Sequence, residues 1–142
     1  MQDLAIMGKK SEPVIFIGKR DGDHVAIEPL AKVESGWRTA NIAVRCGVWA
    51  GHYAGQFMVG ELAKFGKEIE YLHDGLKPRV EFRAVEHYLN LTLGSDGRGH
   101  IHAEGEACER LGAKTALEFQ FDMDAAKLPE VARALIEADR AE

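Results

Sequence analysis

Cysteine is scarce. Cys46 and Cys108 are the two in the chain, far apart and with neither a CxxC pair nor a nearby His/Cys partner, so neither a disulfide framework nor a structural zinc knuckle is suggested. They read as reduced core thiols. Serine is equally sparse: Ser11, Ser35 and Ser95 all fall in polar turns and none occupies a G-x-S-x-G elbow, which removes the usual serine nucleophile. No apolar run approaches the ~20 residues a membrane helix needs. The N-terminus M-Q-D-L-A-I-M-G-K-K lacks the basic and then long apolar plan of a signal peptide, so a cytoplasmic location without membrane attachment is expected. Clustered Lys and Arg are also missing. The formal charge is −5, spread along the chain, which argues against a nucleic-acid surface and suits a basic partner or plain solubility.

What is present is ordinary globular material: 46% hydrophobic and 29% charged residues in 142, enough for one domain spanning 1–142 with a substantial core. Pro13 to Ile17 is a β-branched run closed by the turn-rich Gly18 to Asp23. His24 to Ile27 restarts a strand before Pro29. From Thr39 to Trp49 the chain alternates, with Ile42, Val44, Cys46 and Val48 on a core face and Ala43, Arg45, Gly47 and Trp49 on the other. Gly51 to Gly55 is expected to break that strand. The period then changes: Met58, Leu62, Phe65, Ile69 and Leu72 recur at helical steps between charged residues, giving one amphipathic packing helix.

After His73-Asp74-Gly75 strands return at Arg79 to Val85, Tyr88 to Leu93, Gly99 to Ala107 and Thr115 to Met123. A C-terminal helix begins near Leu128, with Pro129 in its first turn, where its missing N–H is tolerated. No internal sequence repeat is visible. The fold class is therefore α+β: a largely antiparallel sheet of about six to eight strands, one helix mid-chain and one at the C-terminus.

Chemistry concentrates in S-D-G-R-G-H-I-H-A-E-G-E-A, from Ser95 to Ala107. A phosphate loop needs its glycines between a strand and a helix, and these lie between two strands with no Walker lysine. A metal site is the more serious reading, because histidines at i and i+2 of a strand share a face. Gly94, His100-x-His102, Glu106 and Gly112 resemble the first motif of the cupin family, and the resemblance implies a metal held by His100, His102 and Glu106. The second cupin motif is missing, and no histidine follows Gly112. A three-residue loop of Ser95, Asp96 and Gly97 would pair Leu91 with Ile101 and Leu89 with Ala103, leaving His100, His102 and Glu104 on a polar, wet face. The glycines then serve a hairpin.

Other candidates are weaker. Asp122 and Asp124, at the junction before the last helix, suit capping and the helix macrodipole. Trp37 and Trp49 are either interface anchors or half-buried packing residues. His52 reads as a histidine of a glycine-rich bend. No catalytic or cofactor-binding residue is assigned.

The segments F-M-V-G-E-L-A-K-F from Phe57, L-N-L-T-L from Leu89, D-G-R-G-H-I from Asp96, L-E-F-Q-F-D from Leu117 and Leu128-Pro129 together resemble the WapI-type bacterial immunity-protein family. The resemblance implies a non-enzymatic, cofactor-free domain that binds and neutralises a toxin. Two alternatives stand beside it: a cupin-like metal-binding protein or metalloenzyme using the His-x-His strand, and a structural domain whose sheet edges pair with another copy into a homo-oligomer.

Overall fold

The computed structural model describes residues 14–109 and 115–140. A four-stranded antiparallel meander followed by a helix occurs twice. β1 (Ile15–Gly18), β2 (His24–Glu34), β3 (Trp37–Cys46) and β4 (Trp49–Met58) form the first sheet in order and lead into α1 (Glu61–His73). β5 (Arg79–Arg83), β6 (Leu89–Ser95), β7 (His100–Ala107) and β8 (Leu117–Asp124) form the second, followed by a short 3₁₀ turn and α2 (Leu128–Arg140). This twofold plan has no counterpart in the sequence, because a meander asks only for alternation and turns, which many different residues supply.

Strand alternation sets the inner faces. Val25, Ile27, Ile42, Val44 and Phe57 of the first sheet and Val80, Phe82, Leu91, Leu93, Ile101 and Phe121 of the second are buried in one continuous core. The apolar stripe of α1, carried by Leu62, Phe65, Ile69 and Leu72, packs there too. Phe65 stacks on Phe82 with centroids 4.8 Å apart, fastening α1 to β5. The helices also pack on each other, and β8 meets β1 and β3 where the sheets approach.

Three expectations are corrected. The alternating run from Thr39 does not continue to Trp49: it turns at Gly47 (φ 61°), so Val48 is 92% exposed at a hairpin tip. Gly51 to Gly55 does not break a strand, because ten cross-strand partners on β3, from Trp37 to Cys46, hold β4 extended through it. His52 is accordingly an exposed strand residue. β2 continues past Pro29 to Glu34, with its register against β3 shifted between Pro29 and Val33. Pro13, taken as the start of the first strand, lies outside the described residues.

The start of α1 is held from a distance. Gly60 adopts φ 103° and no side chain of its own turn caps the helix. The Asp139 carboxylate, from the last turn of α2, accepts the Gly60 N–H at 3.0 Å and the Ala63 N–H at 2.7 Å, as a capping aspartate would. Buried Arg38 of β3 donates to the Asp139 carbonyl at 3.0 Å and lies 3.9 Å from its carboxylate. Removing one member of such a buried set leaves a desolvated charge or open N–H groups. Asp139→Ala is therefore expected to lower the unfolding free energy by about 3 kcal/mol in urea titrations. A double-mutant cycle with Arg38→Met should return a coupling energy of about 1 kcal/mol or more.

Candidate partner-binding face

Residues that alternate with the core positions of β5 to β8 form the outer face of the second sheet. β7 contributes His100, His102, Glu104 and Glu106, and β8 contributes Glu118, Gln120, Asp122 and Asp124. The register sets His102 opposite Asp122, His100 opposite Asp124, and Glu106 opposite Glu118. Like charges directly opposed cost stability in a sheet, so the Glu106–Glu118 pair is a local penalty within the fold.

The β6–β7 hairpin differs in detail from its expected form. Four residues, Asp96 to Gly99, make the connection, and Leu93 rather than Leu89 faces Ala103. The Asp96 carboxylate organises this longer loop, accepting the Arg98 N–H at 2.6 Å and the His100 N–H at 3.1 Å. Those backbone donors, Arg98's first, hold its pKa below the ordinary carboxylate value. Gly97 (φ 75°) and Gly99 (φ 97°) supply the left-handed conformations the loop needs. Ala103 moves by four residues along its partner strand, an even number, so both histidines stay on the polar face.

His102 sits between two carboxylates. Its Nδ1 is 2.9 Å from Asp122 Oδ1 and its Nε2 is 3.5 Å from Glu104 Oε2. The hydrogen bond to Asp122 is the main cause of a pKa above the usual histidine value. Asp122 is thus an ion-pair partner of His102 and no cap, whereas Asp124 does cap, accepting the Ala126 N–H at 2.8 Å at the start of the 3₁₀ turn.

His100 turns away to Asp96, with Nδ1 3.3 Å from Oδ2. Glu106 lies four residues beyond His102 on the same strand, about 13 Å at the usual rise per residue. The structure therefore does not bring His100, His102 and Glu106 together. Among the described residues no group of three or more His, Cys, Asp and Glu side chains is placed to hold a metal ion.

An open groove of about 480 Å³ crosses this sheet, lined by Glu104, Glu106, Glu118, Asn90 and Arg83. Gly105 shapes the strand beneath it: a Cβ there would collide with the Asn90 carbonyl and come 2.9 Å from the Phe119 ring. Beside β8 stands the β3–β4 tip, where the Cys46 S–H donates to the Gln120 carbonyl at 3.1 Å. Cys46 is half-buried and packs against the core. Trp49, paired with Cys46 across the hairpin, is 68% exposed, while Trp37 is partly buried. Exposed Trp49 and Val48 thus stand on a hairpin tip that touches the β8 edge through Cys46. Sequence reading missed this union, since only tertiary contact puts residue 46 against residue 120.

A family profile described as the immunity protein WapI-like family matches residues 15–138. No curated protein matches the chain. Among solved structures, a guide-RNA-binding protein complex bound to a gRNA is similar, with 13% identity, 89% of each chain covered and a TM-score of 0.51. MRP1/MRP2 of Trypanosoma bruciei matches at 12% identity over 92% of this chain and 83% of that one, with a TM-score of 0.48. The first of these likenesses extends to the fold alone.

The doubly paired histidine yields a pH prediction. Folding raises the His102 pKa, so the pairing adds stability below pH 6.5, its ordinary value, and loses it as pH climbs through the folded-state pKa. An NMR titration should place the His102 midpoint above 6.5. In Asp122→Asn the midpoint should fall towards the ordinary value.

Proposed function

The chain belongs to the WapI-like immunity protein family, and on that premise we propose that it is a non-catalytic inhibitor that holds a toxin-like protein partner on the outer face of its second sheet. The observation that carries the reading is the family match over residues 15–138, which takes in both sheets, α1 and all but the last two residues of α2. The face supports it on chemical grounds. Glu104, Glu106 and Glu118 line one groove, and the opposed Glu106–Glu118 pair would be relieved by a Lys or Arg inserted from a basic partner. Trp49 supplies the large aromatic anchor that interfaces favour, with Val48 beside it. Net charge of −5 would speed encounter with a basic toxin.

In this reading the protein works in the bacterial cytoplasm as one domain and needs no cofactor. The likeness to a guide-RNA-binding protein does not extend the reading to RNA. A phosphate backbone is bound by clustered Lys and Arg, and carboxylates across β7 and β8 would repel it.

Co-purification from the source strain should recover the toxin domain, and calorimetry then measures its affinity. Trp49→Ala and Glu118→Lys are each expected to weaken binding about tenfold or more, with faster dissociation for the first and slower, salt-dependent association for the second. Unchanged affinity in both variants would remove the outer face from the interface.

A further inference from the structure

β5 is the outermost strand of the second sheet and pairs with β6 alone. The Pro78 carbonyl accepts from the Ser95 N–H at 2.9 Å and the Ala84 N–H reaches the Leu89 carbonyl at 3.4 Å, which fixes the parity of the ladder. Residues 78, 80, 82 and 84 direct their backbone groups to β6, so those of Arg79, Glu81 and Arg83 point outward. These groups make no hydrogen bond to another described residue.

Edges of this kind are normally covered or shortened. Here the edge instead borders an open groove of about 740 Å³ between β5 and α1, walled by Lys64 and Glu68 of the helix. Phe65 and Phe82 stack at its base, and Val85, 51% exposed, stands at one end. A groove between a helix and an unpaired strand is where an extended segment adds to a sheet, main-chain bonds giving affinity and alternate side chains giving specificity.

The side chains along the edge decide what can add there. Arg79, Glu81 and Arg83 are exposed and share one face, a plus, minus, plus sequence. A second copy paired antiparallel in full register would set Arg79 against Arg83 and Glu81 against itself, all like charges. Registers slipped to oppose Arg with Glu would engage only two of the three outward-facing residues. We propose that the β5 edge is a strand-addition site for an extended segment of another protein, with acidic residues opposite Arg79 and Arg83, a basic residue opposite Glu81, and apolar residues between them facing α1. This site adjoins the groove of carboxylates, with Arg83 lining both, but its backbone edge is distinct from them and does not depend on the family reading.

The probe is a labelled peptide with the core Glu-Val-Lys-Val-Glu flanked by threonines, whose charge order is the same in either direction. Fluorescence anisotropy should show saturable binding to the full chain. The charge-swapped Arg-Val-Glu-Val-Arg peptide should bind about tenfold more weakly, and Arg79→Glu/Arg83→Glu should reverse that preference. Hydrogen exchange should show new protection at the Arg79, Glu81 and Arg83 amides. Glu81→Pro, which removes an outward N–H and no ladder bond, should abolish binding without unfolding the protein. Absence of binding at millimolar peptide, or binding without protection of those amides, would overturn the proposal. So would a solution dimer that Glu81→Pro dissolves, since that would assign the edge to a second copy.

Discussion

Asp139 sits in the last turn of α2 yet serves the first turn of α1, while buried Arg38 ties it to β3. A helix N-terminus has open N–H donors and a partial positive charge, and a carboxylate brought there answers both. Because that carboxylate comes from the far end of the chain, α1 is properly capped only when α2 has docked. The guanidinium is likewise tolerable in the core only beside its acceptors. The first sheet and α1 are therefore tied to α2 by a contact that none of them could make alone.

Glu61 makes the complementary joint one residue into α1. Its carboxylate accepts the Met58 N–H at 2.6 Å and the Val85 N–H at 2.9 Å, linking the end of β4 to the segment after β5. The Tyr53 hydroxyl adds another tie, donating to the Tyr88 carbonyl at 2.6 Å, and burial is the main reason its pKa is raised. Side chains held on a frame braced in this way lose little freedom when a partner docks. The outer face and the β5 edge meet at Phe82 and Arg83, which line both grooves, so two distinct recognition surfaces share one rigid sheet.

Much of the fold was legible because burial imposes a period. The stripe from Met58 to Leu72 announced a helix, although Met58 itself ends β4, half exposed, and the strands expected from Arg79 onward carry Val80, Phe82, Leu89, Leu91, Leu93, Ile101, Phe119 and Phe121 at alternating positions that the structure buries. Arg38 was overlooked although it stands in phase with Ala40, Ile42 and Val44, a parity that places it inside. The break expected at Gly51 to Gly55 arose from a local preference, which lost to pairing along the whole of β3. Val48 shows the reverse, a residue in phase with the core that a turn at Gly47 carries into solvent.

The sequence by itself determined the α+β class, the number and faces of most elements, and the polar side of the His-x-His strand, because alternation with period two survives any even shift of register. It also carried the family resemblance. Tertiary structure alone decided that His102 pairs with Asp122 while Glu106 lies out of reach, that the Trp49 tip abuts β8, and that β5 is left with an open edge. Such facts depend on register and sheet order, set by loop lengths and by contacts between residues far apart in the chain, such as Arg38 and Asp139, 101 positions apart. No local pattern encodes them.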